Sequence, residues 1–312
     1  MFDDIAFILA TTLMYAAPLI FGALGGVISE KAGVVNIGIE GMMVIGSFTA
    51  ATVGYFYGDP WLGFLAGGIA GGVFGLIHAF AAVTCSADQV ISGIALNFLG
   101  PGLAIFLCRI FFDGTTMTKS VDLDNKMPRP FHGVFSENSF LFNIFDNQYA
   151  TVYIAFLLAF VLWYVLNKTR LGLRIRAVGE HPAAAETLGV NVFRLRYLAA
   201  ILSGVFAGWG GAAMSLAIVS NFRPTLVSGH GFIALAAVIF GKWKPEGALL
   251  ACLLFGSAQG LTVYLGQFEN LVPSQLLSML PYVLTIVILV LFVGKTAAPA
   301  ADGVPYEREQ KH

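Results

Sequence analysis

The chain has 312 residues, of which 57% are hydrophobic and 11% are charged, and its formal net charge at pH 7 is −1. Soluble domains carry about 25% charged residues, so this composition argues against a water-soluble fold. The net charge gives no indication of nucleic-acid binding. We therefore expect an all-α, polytopic integral membrane protein embedded in a lipid bilayer.

Seven apolar stretches are long enough to cross a bilayer as helices, which takes roughly 20 residues. They cover 5–28, 61–84, 89–112, 149–167, 197–219, 246–265 and 275–294. Two further stretches are ambiguous. The stretch 33–57 begins with a section that is interrupted by Gly and Asn, and the stretch 231–241 is too short to cross the bilayer upright. We predict that these two are broken or re-entrant helices, which occur at membrane depth where protein surrounds them or a cavity adjoins them. The prediction is therefore about 8 to 10 membrane helices.

The stretch SEKAGVVNIGIEGMMVIG, which begins at Ser29, places polar groups inside apolar sequence. Asn36 and Glu40 are four residues apart, on one face if the stretch is helical, and the glycines around them indicate a partly unwound backbone. Polar groups are costly within a membrane and are often functional there. One interpretation is a gate or pathway element. The other is a polar cluster that satisfies the backbone of a broken helix.

Two further amides complete the set of candidate pathway or gate residues. Asn97 lies in the middle of an apolar span. There it could contact a polar substrate or hydrogen-bond to a neighbouring helix. Asn221 follows the span 197–219, and we predict that it lies at the outer mouth.

Glycine recurs every four residues in the span 61–84, and a similar pattern occurs in the span 197–219. A face of small residues lets the backbone of another helix approach closely. We predict that these glycines serve helix packing within the chain: Gly63, Gly67, Gly71, Gly75, Gly204 and Gly208.

Two polar segments set the expected orientation. Segment 168–196 holds six of the 17 Lys and Arg residues, and loops rich in these residues stay in the cytoplasm. Segment 113–148 is predicted to be an extracytoplasmic loop, because one span, 149–167, separates it from the basic segment. We therefore expect a transmembrane domain over residues 1–295 and a disordered cytoplasmic tail over 296–312, which is polar and rich in Ala and Pro.

Inside the basic segment the sequence predicts a short helix from Pro182 to Leu188. Proline suits the first helical position, three alanines propagate the helix, and Gly189 ends it. A capped helix in a cytoplasmic loop suggests a contact point for a cytosolic partner. The alternative is a helix that lies on the inner membrane surface, although it lacks the aromatic and Lys residues that favour lipid.

The sequence contains no recognisable constellation of catalytic residues. Its three cysteines form no metal-binding pair, and no cluster of His, Glu and Asp suggests a metal or cofactor. Residues 294–296 resemble the end of a nucleotide-binding loop, but Leu289 stands where the first glycine is required. We therefore expect a protein that is not an enzyme and holds no cofactor, so that any ATPase must be another chain.

Three stretches together resemble one family: SEKAGVVNIGIEGMM at 29–43, RAVGEHPAAAETLGV at 176–190 and GFIALAAVIFGKWKPEGALLACLLFG at 231–256. They are similar to the permease subunits of bacterial ABC importers, in the group shared by importers of simple sugars, branched-chain amino acids and nucleosides. The first and third stretches are most similar to nucleoside-importer permeases. The resemblance extends over residues 5–294.

The resemblance implies a pore in the bacterial cytoplasmic (inner) membrane that works by alternating access, driven by a separate cytosolic ATPase with two nucleotide-binding domains. It also implies a second, longer permease as a heterodimer partner and an extracytoplasmic substrate-binding lipoprotein. The expected substrate is a nucleoside. The alternatives are a simple sugar such as ribose or galactose and, from a different class, an ion-coupled secondary transporter.

In such permeases a helix of the large cytoplasmic loop docks into a groove of the ATPase. The resemblance gives this coupling role to the short helix and the residues that border it: Glu180, His181, Pro182, Ala185, Glu186, Leu188 and Gly189.

Overall fold

The structure is a computed structural model that describes residues 2–122, 126–134, 142–267, 274–292 and 298–307. Within these ranges the regular structure is helical and no strand is present. The helices are α1 (Phe2–Lys31), α2 (Ile39–Tyr57), α3 (Pro60–Ala79), α4 (Gln89–Phe111), α5 (Ala150–Lys168), α6 (Arg170–Glu180), α7 (Pro182–Thr187), α8 (Val192–Ala213), α9 (His230–Phe240), α10 (Pro245–Leu265) and α11 (Ser274–Phe292). Short π-helical segments extend α3 and α8 and precede α5: Phe80–Thr84, Met214–Ile218 and Phe142–Asp146.

Seven helices in the described ranges are long and apolar enough to cross a membrane, namely α1, α2, α3, α4, α5, α8 and α10. The predicted all-α, polytopic membrane class is therefore confirmed. In the ambiguous stretch 33–57 the break is confined to its first residues, and α2 alone has 19 residues. Helix α9 has 11 residues, which is too short to cross upright. Helix α11 begins one residue before the predicted stretch 275–294 and otherwise lies within it.

Aspartates begin two of these helices. The Oδ1 atom of Asp59 accepts from the N–H groups of Trp61 and Leu62 at 2.8 and 3.3 Å, and Pro60 occupies the first helical position of α3. Asp88 likewise accepts from the first N–H groups of α4. An aspartate at this position satisfies N–H groups that have no partner within the helix. These two aspartates thus locate the starts of α3 and α4.

The predicted glycine faces lie where α3 crosses α8. A methyl carbon on Gly71 would lie 2.2 Å from the carbonyl oxygen of Gly204, and one on Gly208 would lie 2.3 Å from that of Gly67. The contacts at the ends of the α3 face are similar: Gly63 approaches the carbonyl oxygen of Ala50 in α2, and Gly75 approaches that of Ala200 in α8. At these glycines the backbone of α3 is therefore in close contact with those of α2 and α8.

Residues 118–121 and Met127 lie against the end of α8 that is remote from α6 and α7. The N–H of Thr118 donates to the carbonyl oxygen of Phe222 at 3.1 Å, and the N–H of Val121 donates to that of Ser220 at 2.8 Å. We call this end of the bundle the loop end. We call the opposite end, which carries α6 and α7, the basic end.

Within the tail 296–312, for which we predict disorder, the structure describes residues 298–307, and these lie against the basic end. The N–H of Ala301 donates to the carbonyl oxygen of Gly179 at 2.8 Å, and Arg196 donates to the carbonyl oxygen of Val304 at 2.9 Å. The composition of the tail indicated disorder because it contains few large apolar groups. Residues 298–307 are instead held by polar partners on α6 and α8. Residues 296–297 and 308–312 are outside the described residues.

Gly71→Ala is expected to destabilise the protein, because the new methyl carbon would lie 2.2 Å from the carbonyl oxygen of Gly204. Overpacking of this kind costs roughly 1–3 kcal/mol. Gly102→Ala is the matched control, since no atom lies within 4 Å of the position that its methyl carbon would take. Thermal unfolding of the detergent-solubilised variants measures the difference. Equal unfolding temperatures for the two variants would contradict this packing.

Candidate functional site

The chain leaves the helical conformation between α1 and α2, over residues 32–38. Gly33 has a φ of +81°, a conformation that glycine adopts readily. Helix α2 then begins beside Gly22 of α1, where a methyl carbon would lie 3.5 Å from the Cγ2 atom of Ile39. Gly22 is nine residues before Lys31, which corresponds to roughly 13 Å of helix. The start of α2 therefore lies within the depth of the α1 span.

Asn36 lies in this non-helical segment and is fully buried. Its Nδ2 atom donates to the Oγ atom of Ser203 in α8 at 2.8 Å, and its Oδ1 atom accepts from the N–H of Gly38 at 3.1 Å. Each N–H and C=O group at membrane depth needs a partner in the protein, because water is absent there. Asn36 thus connects the break to α8 and satisfies part of the backbone before α2.

Asn97 supports the same helix start from α4. Its Oδ1 atom accepts from the N–H of Gly41 at 2.8 Å, and its Nδ2 atom donates to the carbonyl oxygen of Ile37 at 3.0 Å. The backbones are close here, since a methyl carbon on Gly41 would lie 2.2 Å from the carbonyl oxygen of Leu96. Of the two uses that the sequence left open for Asn97, this geometry is that of a bond between helices.

Glu40 joins the start of α2 to the start of α9. Its Oε1 atom accepts from the N–H of Gly229 and its Oε2 atom accepts from the N–H of Gly231, both at 2.7 Å. A carboxylate is favourable at a helix N-terminus, where the N–H groups are unpaired and the helix dipole is positive. Glycine is required at 231, because a methyl carbon there would lie 2.6 Å from the backbone of Glu40. Two helix starts therefore meet at one half-buried carboxylate.

The structure brings three of the four candidate pathway residues together and separates the fourth. Asn36, Glu40 and Asn97 surround the starts of α2 and α9. Asn221 lies at the loop end, between two residues that hydrogen-bond to the segment 118–121. We call the first group the polar break site, and it also includes Ser203, which sequence reasoning missed.

Two further features of this region were missed in the sequence. Trp243, at the turn between α9 and α10, donates its indole N–H to the carboxylate of Glu30 in α1. His230 stands between two glycines, and Gly229 has a φ of +92°. A histidine between glycines after an apolar span was the signal that could have indicated the start of a half-helix.

The short helix predicted at Pro182–Leu188 is present as α7, which ends one residue earlier. Pro182 is at its first position, and Gly189 has a φ of +80°, so both expected boundary residues have the expected conformations. Ala185 is 3% exposed and packs in an apolar cluster with Val178 and Val192.

The outer surface of α7 and its borders is open. Leu188 is 85% exposed, which is unusual for a large apolar side chain outside the membrane spans. Glu180, His181 and Gly189 are exposed as well, whereas Glu186 is half-buried and accepts a hydrogen bond from the hydroxyl of Tyr306 at 2.5 Å. The helix therefore presents a small surface centred on one exposed leucine.

The basic residues around α7 differ in their exposure to solvent. Five of the six in segment 168–196 are exposed: Lys168, Arg170, Arg174, Arg176 and Arg194. Arg196 is 1% exposed. The basic end thus has a positive outer surface and one buried guanidinium.

The chain matches one known protein family over most of its length. A family model described as "Branched-chain amino acid transport system / permease component" matches residues 8–289. The chain belongs to this permease family. It is therefore a multi-pass permease subunit of the ABC-importer type, a type that works with an ATPase and a substrate-binding protein.

Three curated relatives extend over nearly the whole chain. The guanosine ABC transporter permease protein NupQ of Bacillus subtilis is 45% identical over 97% of both chains. The nucleoside ABC transporter permease protein NupC of Lactococcus lactis is 43% identical over 97% of this chain and 98% of its own. The putative glucose ABC transporter permease protein TsgC13 of Haloferax volcanii is 36% identical over 97% of this chain and 98% of its own.

Glu40→Gln is expected to loosen the start of α9, because the amide keeps one of the two acceptor oxygens and loses the charge. Hydrogen bonds to charged groups contribute roughly 1.5–3 kcal/mol each. Hydrogen exchange of the peptide that contains residues 229–231 should therefore accelerate. Asp59→Asn is the control, since Asn caps a helix as well as Asp does and Asp59 is at the start of α3, outside the polar break site. Unchanged exchange at 229–231 in Glu40→Gln would contradict the capping role.

Proposed function

We propose that this chain imports nucleosides across the bacterial cytoplasmic membrane, as one permease subunit of an ABC importer. The observation that carries the proposal is similarity, over 97% of the chain, to permeases named for guanosine and for nucleosides. Alternating access requires helices that change their contacts around a site near the middle of the membrane. The two helix starts that meet at Glu40 support the proposal, because side-chain hydrogen bonds hold them together.

The polar break site is our candidate for contact with the nucleoside. Its ribose carries hydroxyl groups, which need acceptors in a dry pathway. The carboxylate of Glu40 has about four acceptor sites, and two of them receive backbone N–H groups. The remaining lone pairs would accept from ribose hydroxyls, while Asn36 and Asn97 fix the backbone behind the site. Asn221, at the loop end, would line the outer mouth.

The orientation follows from the charges. We place the basic end in the cytoplasm, because segment 168–196 concentrates Lys and Arg next to membrane spans. The loop 113–148 then lies outside, and residues 296–312 lie in the cytoplasm. The substrate would enter from the loop end and leave at the basic end.

Helix α7 is our candidate for the contact with the ATPase. Its exposed tip carries Leu188, and a single exposed apolar side chain suits insertion into a groove of a partner. Glu180, His181 and Gly189 border this tip and are exposed, so they can take part in the same contact. Closure of the ATPase on ATP binding would push α7 against α6 and α8. The absence of aromatic residues from PAAAET, the sequence of α7, supports a protein groove over a lipid surface.

We further propose three specific partners: one ATPase chain with two nucleotide-binding domains, a longer permease that forms a heterodimer with this chain, and a substrate-binding lipoprotein. The resemblance of the three sequence stretches to nucleoside-importer permeases supports this set. The chain itself would perform no covalent chemistry, so the energy for transport would come from the ATPase.

A simple sugar is the second candidate substrate, because one relative is named a putative glucose permease. A nucleoside and ribose share the hydroxyl groups that Glu40 would contact, and the nucleoside adds the flat base. The higher identity to the guanosine and nucleoside permeases favours the nucleoside.

Uptake measurements separate these candidates. Cells that express the chain with the products of its neighbouring genes should accumulate radiolabelled guanosine, and unlabelled nucleosides should compete while ribose and glucose should not. A variant ATPase unable to hydrolyse ATP is the control, and it should abolish uptake. Competition by the sugars alone would overturn the nucleoside assignment. Uptake that continues with the inactive ATPase would instead indicate an ion-coupled transporter.

Leu188→Glu is expected to abolish uptake while the permease still inserts, because a charge replaces the apolar side chain at the tip of α7. The measurement is co-purification of the ATPase, which should fall at least ten-fold, the loss typical of a buried apolar anchor. Thr187→Ala is the matched control, since Thr187 is adjacent and exposed. A photo-crosslinking residue at 188 should also capture the ATPase. Normal co-purification and no crosslink would contradict the role of α7.

A further inference from the structure

Residues 298–307, which we call the C-terminal strap, lie across the basic end. The backbone of the strap is bonded to the end of α6: the N–H of Ala301 donates to the carbonyl oxygen of Gly179 at 2.8 Å, and the N–H of Ala300 donates to the carboxylate of Glu180 at 3.3 Å. Ala301 is 9% exposed, so the strap is seated in the bundle and does not merely rest on its surface.

Arg196 of α8 is buried under the strap. Its Nη1 atom donates to the carbonyl oxygen of Val304 at 2.9 Å and its Nη2 atom donates to that of Ala301 at 3.5 Å. The guanidinium also lies 6.0 Å from the ring centroid of Tyr306. A buried charge is costly unless it is hydrogen-bonded, and the strap supplies these acceptors. Removal of the strap would therefore deprive the guanidinium of both acceptors.

Tyr306 connects the strap to α7. Its hydroxyl donates to the Oε2 atom of Glu186 at 2.5 Å, and its ring packs against the apolar cluster that contains Ala185. The same ring lies 5.8 Å from that of Phe193 in α8, measured between centroids. One strap residue thus contacts both the short helix and the span that follows it.

The strap also touches the segment that leads to the polar break site. A methyl carbon on Gly33 would lie 3.0 Å from the carbonyl oxygen of Ala301, and one on Gly303 would lie 3.4 Å from the side chain of Val35. Asn36 follows directly. The strap is therefore in contact with α6, α7, α8 and residues 32–38 at the same time.

We propose that the strap is a coupling element, which fixes α7 to α8 and to residues 32–38 so that a push on α7 displaces the start of α2. Arg196 and Tyr306 are its positioning residues. The proposal rests on the coupling role of α7 given above. A helix of six residues held by one buried alanine would otherwise move independently of the spans. The strap adds hydrogen bonds to Glu180 and Glu186, and it accepts one from Arg196 of α8.

Asp302 makes the seating of the strap dependent on pH. Burial and, to a lesser extent, the neighbouring Glu30 raise the pKa of its carboxyl to about 8, against the lowering effects of Arg196, the N–H of Gly303 and Lys31. Its Oδ1 atom is buried and has no hydrogen-bond partner among the residues that the structure describes, as suits a protonated acid. Seating is therefore most stable below the ordinary pKa of 3.8 and weakens as the pH rises towards about 8.

Hydrogen exchange of residues 298–306 in the complete importer should accordingly be faster at pH 8 than at pH 6, after correction for the intrinsic effect of pH. Asp302→Asn, which stays neutral, should reduce the difference. An equal pH dependence in the wild type and the variant would contradict the seating of Asp302.

The same exchange measurement tests the strap itself and needs neither substrate nor ATP. The wild-type amides should be protected, and Tyr306→Phe, which keeps the ring, should exchange about ten-fold faster at 298–306, the effect of losing one bond to a charged group. Exchange of the wild-type segment at the rate of an unfolded peptide would overturn the proposal.

Coupling is tested by the amount of radiolabelled guanosine transported per ATP hydrolysed in proteoliposomes that contain the complete importer. Arg196→Lys and Tyr306→Phe should lower this ratio several-fold while the ATPase still co-purifies and hydrolyses ATP. Arg194→Lys is the matched control, because Arg194 is two residues away and exposed. An unchanged ratio in both variants, together with a crosslink from residue 188 to the ATPase, would overturn the proposed role of the strap and leave that of α7 standing. Absence of that crosslink would instead overturn the role of α7.

Discussion

Water is absent from the interior of a bilayer, so each N–H and C=O group that a helix break exposes must find a partner within the protein. This constraint governs the region between α1 and α2 and the start of α9. Asn36, Asn97 and Glu40 meet it, and each of them bonds to backbone groups near a helix start. The neighbouring helices must lie close enough for these side chains to reach, so the breaks also determine how α4, α8 and α9 are arranged around α2.

Two kinds of helix contact in the bundle differ in how easily they can change. Where α3 crosses α8, glycines bring the two backbones together, and any separation forfeits close packing along the whole face. The starts of α2 and α9 are joined instead by two hydrogen bonds to one carboxylate. Such bonds can be exchanged for bonds to a polar solute at little net cost. The fold thus combines a rigid pair of spans with helix starts that can be rearranged.

The sequence was sufficient for features that depend on local pattern. Apolar length located the spans, and a proline and a glycine located both ends of α7. It was insufficient where the partner is remote: Glu40 bonds to residues 189 and 191 positions away, and no local pattern marks that pairing. Remote partners are also the reason why the contacts of residues 298–307 could not be predicted from the sequence. Arg196 is one of six basic residues in its segment, and burial alone distinguishes it from the others.

Helix α6 was missed for a different reason. Its sequence, RLGLRIRAVGE, is dominated by charges and glycine, whereas its burial is confined to a few positions such as Ile175 and Val178. The pattern is amphipathic, but it occurs inside a segment whose basic character indicated a loop. Gly179 lies at its end against α1, since a methyl carbon at this position would lie 2.3 Å from the carbonyl oxygen of Lys31. The end of α6 is therefore in backbone contact with the end of α1.

Residues 32–38 are held by contacts with α3 and α4 on one side and with the strap on the other. The N–H of Val35 donates to the side chain of Gln89 at 2.7 Å, and its carbonyl oxygen lies 2.8 Å from the Nε2 atom of His78. The strap contacts the same segment from the basic end. A free loop would absorb a displacement by changing its dihedral angles, but seven residues fixed at Gly33, Val35 and Asn36 have little freedom to do so. On our proposal, a displacement of the strap would therefore move α2, which begins one residue after the segment ends and carries Glu40 in its first turn.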